Sequence, residues 1–570
     1  MSPVVAQHGA HSESDMVAER RATRSAITRV GILLAGLATC IAVAADAKAD
    51  EIVQGVLQLR WGDAPHVPHS RVDAHAQVEA WLDAGPGRRY RLDVEQARRA
   101  AGDLYGLSNR RVAVAYRVSS RVMAGAKASS IAPEISAIVP TDTLPSRTMA
   151  KSDASGGGTA VPLSGSTRWI TVMCKFADIA SEQRPRAFFQ SQYGDAPGQL
   201  GHYWSEVSYG RIDLAGSAAH GWYTLPRPRA AYLSDAGGRT RADLSLLFAD
   251  CAALADADVD FRGAQGVNLM FNAELDGSAW GGGACATLDG SYQCTRATWN
   301  PPWSFNNLAP LAHEMGHGYG LPHSDNSDGD GDTYDNPWDL MSDAWRMATS
   351  DVTYGLLPKH LNMYQRERLG WVAAARKRTI PANNAETHEI MLDAASLQNA
   401  GGVQLLMLAL PAQADPFTTV VYTVEARRRT GTYEAALAGD AVIIHRLEDY
   451  GIARSIDRDT PVASFSSNEG SMLKVGGRWS TPDERHWIEV VARTDSGFVL
   501  RVGPRPRAMS APTPALERSA ATVASAPAAV AVRTTPATRR ARPANVPSAR
   551  ARACEVLPRV LRLPTLCALL

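Results

Sequence analysis

No charge of one sign dominates this 570-residue sequence: 59 Lys and Arg stand against 58 Asp and Glu, a formal net charge of +1. That balance builds no broad basic field, so no nucleic-acid partner is expected. Long apolar runs are missing after residue 45, which excludes a later membrane-spanning helix. No internal repeat is evident, and the chain reads as a succession of unlike segments. Cysteine is scarce, with seven in all and none between Cys40 and Cys174. The first hundred residues after the apolar run therefore hold no thiol.

What is present begins with an address. Arg20, Arg21, Arg24 and Arg29 precede the apolar run VGILLAGLATCIAVAA (Val30 to Ala45), and the small-residue site Ala47-Lys48-Ala49 follows. That is the layout of a secretory signal over residues 1–49, with Met16 as an alternative start, and it predicts a secreted protein with no stable membrane span once the signal is removed. An uncleaved anchor and a lipid-bearing Cys40 are the competing readings. Export makes disulfides plausible among Cys174, Cys251, Cys285 and Cys294. Cys285 with Cys294 is the favoured pair, and Cys174, inside the apolar WITVMCKF, alternatively reads as a buried thiol.

At 45% hydrophobic and 21% charged, the rest has globular composition and length for two to four domains. Residues 50–144 alternate strand-like and helix-like runs, EIVQGVLQLRW and RLDVEQARRAAGDLYGL, and read as a small folded pre-domain. Residues 145–166, PSRTMAKSDASGGGTAVPLSGS, have the composition of a protease-accessible linker. A pre-domain before such a linker fits a zymogen whose propeptide is removed, and also fits two tethered domains. From 167 to 375 strands and helices come in mixed order. Trp169–Phe176 and Gly266–Glu274 read as buried strands, and Ala242–Asp258 as an amphipathic helix. From 376 to 504 short alternating strands such as VQLLMLAL, TVVYTVEARRR and DAVIIHRL predict a β-sandwich, ending in the hairpin WIEVVARTDSGFVLRV. Residues 505–570 are Ala, Pro, Arg, Ser and Thr and cannot bury a core. The expected fold class is α+β followed by the sandwich.

One stretch carries chemistry: HEMGHGYGLPH, His313 to His323. On a helix capped at Asn306 or Asn307, His313 and His317 are i and i+4, with Cβ atoms about 5–6 Å apart, close enough for both imidazoles to bind one zinc. A catalytic zinc needs three protein ligands and an open position. Gly318 and Gly320 let the chain turn sharply so that His323 can be the third. Glu314 lies beside the metal, where a general base for water belongs. The full H-E-x-x-H-x-x-G-x-x-H pattern arises by chance in on the order of a few sequences per hundred thousand, so accidental histidines at a helix end are a poor account of it.

Eighteen residues after His323 stands Met341, in DNPWDLMSDAW. With it the sequence resembles the metzincin metallopeptidases, whose methionine turn lies beneath the zinc-binding imidazoles. SEVSYGRIDLAGSAAHGWYTLP, YQRERLGW and VEARRRTG extend the resemblance, over about Trp169 to Val502, to the secreted immune-inhibitor-A and gametolysin-like peptidases. The likeness implies a metzincin-like catalytic domain, one catalytic Zn2+, protein or peptide substrates, and a Met-turn role for Met341. It also implies that SAWGGGACATL is an edge strand to which extended substrate pairs. Two departures stand out. His323 follows the metzincin pattern rather than the immune-inhibitor-A one, and Asp343 occupies the place where some metzincins have a tyrosine.

Between the third histidine and Met341, Asp328, Asp330 and Asp332 alternate as oxygen ligands do in calcium loops, which suggests a bound Ca2+. A solvated polar loop is the alternative, since Thr333 stands where an EF-hand has glycine. With no cysteine between the signal and Cys174, latency would require a carboxylate or plain steric cover over the zinc. The expected activity is a secreted zinc endopeptidase with Glu314 as base. The alternative is an extracellular binding protein with a silent zinc site.

Overall fold

The computed structural model describes residues 51–65, 77–117, 134–141, 162–329, 332–381, 383–411, 419–447, 451–458 and 468–504. The signal and the Ala/Pro/Arg-rich tail lie outside the described residues, as do nearly all of the linker and Asp330. Strand outweighs helix, and the two are mixed. Among the described residues no helix is long and apolar enough to cross a membrane.

The dominant feature is one ten-stranded sheet. Its principal strands are β1 (Glu51–Asp63), β2 (Gln77–Asp83), β3 (Arg89–Leu92), β4 (Arg111–Arg117), β5 (Glu134–Pro140), β6 (Trp169–Lys175), β7 (Ala218–Thr224), β8 (Gly266–Phe271), β9 (Ala279–Leu288) and β10 (Ser291–Asn300). Their order is β3-β2-β1-β9-β10-β8-β6-β7, with β4 on β1 and β5 on β4. β6, β7, β8 and β10 run parallel, and β9 is antiparallel to both its neighbours. Parallel strands are covered on both faces and therefore read as continuous apolar runs. WITVMC and GVNLMF are buried at every position.

The strands expected in the pre-domain are present, and they continue the sheet of the following region. Arg60, Trp61, Gly62 and Asp63 of β1 pair with Gly282, Gly281, Trp280 and Ala279 of β9. The glycines make this closeness feasible: a Cβ on Gly282 would lie 2.0 Å from the Leu59 carbonyl oxygen, and one on Gly281 would meet Glu314 and His317. Segment 279–288 is thus a strand, as expected, but in the intact chain it is an internal one.

Beyond the sheet, α1 (Val94–Ala101) packs over β5, α2 (Leu244–Ala255) over β9, and α3 (Leu308–Gly318) over β9 and β10. α3 is buried at every residue, a helix inside a core rather than on a surface. A second core lies between two smaller sheets formed from residues 377–504, one of five strands and one of four. This is the expected sandwich arrangement, with the Asp495-Ser496-Gly497 turn closed by Thr494 N donating to Gly497 O at 2.9 Å. Cys285 is bonded to Cys294, and Cys174 to Cys251, so Cys174 is not a free thiol. Asp243 caps α2 and β6 lies beneath that helix, which brings the second pair together.

Candidate metal centre

α3 begins at Asn307, but the asparagine does not cap it through its side chain. Asn307 Oδ1 accepts from Leu356 N at 3.1 Å instead. The helix ends at Gly318, and the reversal falls on Gly320 alone, at φ +88°. Gly318 keeps helical geometry and is small for another reason: a Cβ there would lie 2.9 Å from the Trp169 ring. The turn returns His323 to the face that carries His313 and His317.

The three Nε2 atoms converge. His313 to His317 is 3.0 Å, His317 to His323 is 3.1 Å, and His313 to His323 is 3.2 Å. Tetrahedral zinc with bonds of about 2.0–2.1 Å sets its nitrogen ligands about 3.3–3.4 Å apart, so the spacing fits. Tautomers agree. His313 Nδ1 donates to the Leu340 carbonyl at 2.6 Å and His317 Nδ1 to that of Leu321 at 2.8 Å. A carbonyl only accepts, so in the neutral rings the lone pairs lie on Nε2, aimed at one point. Buried lone pairs gathered this way repel one another unless a cation lies between them.

Glu314 is buried beside them, and its Oε2 has no hydrogen-bond partner. Burial first, and the nearby Asp63 charge second, push its carboxyl well above the usual range. Met341 is buried under the helix, where a Cβ on Gly316 would lie 2.5 Å from its Sδ. The turn that carries Met341 also provides, through Leu340, the carbonyl that orients His313.

The residue missing from the sequence reading is Asp63. Oδ1 lies 2.8 Å from His323 Nε2, and Oδ2 lies 3.2 Å from His317 Nε2 and 3.5 Å from His313 Nε2. Asp63 and the three histidines form one buried group able to hold a metal ion. Burial alone would raise the Asp63 carboxyl, but the imidazoles of His323 and His313 beside it hold it well below the ordinary range. The effects on the histidines diverge. Burial drives His317 down to about 3, while on His313 burial, the largest single influence, is outweighed by the charge and hydrogen bond of Asp63 together with the Leu340 carbonyl, and the ring is raised. Trp61, two residues earlier on β1, stacks on the His317 ring at 4.7 Å with 6° between planes. Asp63 and Trp61, both on β1, thus lie directly against the histidine group.

Tyr334 was also missed. Its hydroxyl donates to Asp63 Oδ1 at 2.6 Å, and its ring packs edge-on to His323 at 5.6 Å. Asp343 stays out of the centre, accepting from the amides of Trp345 and Arg346 at 2.9 Å each. Of the proposed calcium ligands, Asp332 accepts from Tyr334 N, and Asp328 N donates to Asn326. Among the described residues neither joins a converging group of metal-ligating side chains.

No known protein-family model matches this chain, and no curated protein matches it closely enough to count as a relative.

Proposed function

We propose that the chain is the precursor of a secreted zinc endopeptidase of the metzincin kind, held latent by its own pre-domain. The observation that carries this reading is the convergence of three imidazole Nε2 atoms at 3.0–3.2 Å beside the buried carboxyl of Glu314, whose Oε2 has no hydrogen-bond partner. His313, His317 and His323 would hold the zinc. When bound, the ion supplies Lewis acidity, polarising the scissile carbonyl and making a water at the site more acidic. Glu314 Oε2 takes the proton from that water and delivers it to the leaving nitrogen, a role worth about 10²–10⁴-fold. Water adds across the C–N bond, leaving a carboxylic acid and an amine. Extended substrate would pair along β9 once β1 has left it.

In the intact chain Asp63 would be a further ligand to that ion and β1 pairs along β9, so substrate would have access to neither. Cleavage within Pro145–Ser166 followed by release of the pre-domain frees both. A second reading has a specific observation in its favour: four protein ligands are what a closed, structural zinc site has. Glu314 argues against it, because a structural site gains nothing from a buried carboxylate without a partner. Casein zymography of the purified chain, before and after limited proteolysis, separates the two. Intact chain should be nearly silent and cleaved chain active, with o-phenanthroline abolishing the activity. Glu314→Ala should keep stoichiometric zinc and lose hydrolysis. Cleaved wild-type chain that holds zinc and hydrolyses nothing establishes the silent site instead.

A further inference from the structure

Tyr334 is a hydrogen-bond donor brought into the metal centre from a loop whose sequence reads as an acidic turn. Backbone contacts fix its approach: Tyr334 N donates to Asp332 Oδ1 at 2.8 Å, and Thr333 O accepts from Ser342 Oγ at 2.8 Å. The second of these ties the loop to the residue after Met341. Its ring packs against His323, and its hydroxyl donates to Asp63 Oδ1. Tyr334, Asp63, His313 and Glu314 line one small cavity of about 20 Å³, walled on its apolar side by Trp303 and Trp345.

The Asp63 carboxylate is informative as a stand-in. It is an anion of two oxygens on one carbon, with one oxygen against His323 and the other against His317 and His313. The species formed when water adds to a peptide carbonyl also places two oxygens, one of them anionic, on one carbon. A donor that satisfies the first is in position for the second. We propose that Tyr334 is a catalytic residue, donating its O–H to the oxyanion that develops from the scissile carbonyl. This assignment rests on the peptidase reading above. Glu314 removes a proton from water, the water oxygen bonds to the carbonyl carbon, and the π pair moves onto the carbonyl oxygen, which accepts from Tyr334. On collapse that pair re-forms the carbonyl, the C–N bond breaks, and nitrogen takes the proton from Glu314.

The arrangement gives the hydroxyl two successive partners. In the intact chain it anchors Asp63. After the pre-domain leaves, the donor faces an empty corner and is satisfied fully only as negative charge builds on the substrate, which is the condition for lowering a barrier rather than merely tightening binding. Asp343, at the place of the tyrosine in some metzincins, is engaged with two backbone amides and cannot take this role.

The test uses the chain cleaved in the linker, comparing wild type with Tyr334→Phe, which keeps the ring against His323. Expected is a fall in kcat of about 10²–10³-fold with KM changed little, the usual loss for one oxyanion donor. A phosphinic peptide, whose two oxygens mimic the tetrahedral species, should lose affinity in the same proportion, with zinc content and unfolding midpoint unchanged. Tyr334→His, which restores a donor, should recover part of the rate. Undiminished kcat and phosphinic affinity in a zinc-loaded Phe variant would overturn the assignment, as would equal losses in the Phe and His variants. Cleaved wild type that hydrolyses nothing removes the peptidase reading and this assignment together. Active wild type beside an equally active Phe variant removes this assignment alone.

Discussion

Gly316 shows how tightly single residues are constrained around the centre. It lies between the two helical histidines, and a Cβ there would lie 2.5 Å from Met341 Sδ. Gly316→Ala should therefore push the methionine turn away, and with it the Leu340 carbonyl that holds His313 Nδ1 at 2.6 Å. The expected cost is about 1–3 kcal/mol of overpacking, read by urea unfolding, together with weaker zinc binding by competition with a chromophoric chelator. A variant as stable as wild type with unchanged zinc affinity would show that Met341 adapts freely. The three histidines and Glu314 were legible in the sequence because their relation is local, set by one helical turn and one glycine reversal. Asp63 and Tyr334 were not. Asp63 ends a strand 250 residues before His313, and nothing in WGDAP marks its carboxylate as a ligand. Tyr334 sits in a run of aspartates that draws attention to oxygen ligands rather than to a phenol. The absence of cysteine between Cys40 and Cys174 was the one available hint, since it left a carboxylate among the groups that could lie against the histidines.

Among the elements, β1 and β9 form the contact on which the proposed latency turns. The residue pattern marks 51–63 as strand-like and the family resemblance alone suggests a strand at 279–288, but nothing local says that the two segments lie side by side. The pairing is visible only in three dimensions, in glycines that carry no side chain where β1 comes closest. Gly281 and Gly282 separate the two neighbours of β9. A Cβ on Gly281 strikes the helix, lying 2.3 Å from the Glu314 carbonyl oxygen, whereas one on Gly282 strikes β1, lying 2.0 Å from the Leu59 carbonyl oxygen. Gly282→Ala should therefore destabilise the intact chain by about 1–3 kcal/mol and speed pre-domain release after linker cleavage. Gly281→Ala should impair zinc binding whether or not the pre-domain is present. Size-exclusion chromatography of cleaved samples over time gives the release rate. Equal release rates for wild type and Gly282→Ala would mean that β1 is not held at this contact.

For the molecule as a whole, the sandwich is packed against the loop that carries the methionine turn. Arg454 pairs with Asp325 at 2.5 Å, and Ser324 Oγ donates to the Ala453 carbonyl at 2.8 Å. Deeper in, Arg427 pairs with Glu425 at 3.0 Å and with Glu434, and also donates to the carbonyl of Trp338, three residues before Met341. Arg427, Glu425 and Glu434 are all buried. The strand pattern of residues 405–447 was readable, but this docking was not, because buried charges look like surface charges in a sequence. Arg427→Met would leave two buried carboxylates without their cation. Removing one partner of such a group costs about 3–5 kcal/mol, so the variant should unfold at markedly lower urea. Because the same guanidinium holds the Trp338 carbonyl, zinc affinity should fall as well, although Arg427 belongs to the sandwich and touches no metal ligand. Neutralising both acids in the same background, with Glu425→Gln and Glu434→Gln, should restore most of the stability by removing the uncompensated charge, while the Trp338 contact stays lost and zinc binding stays weak. Stability and zinc affinity recovering together in that triple variant would show that charge, not the link to the methionine turn, couples the sandwich to the metal centre.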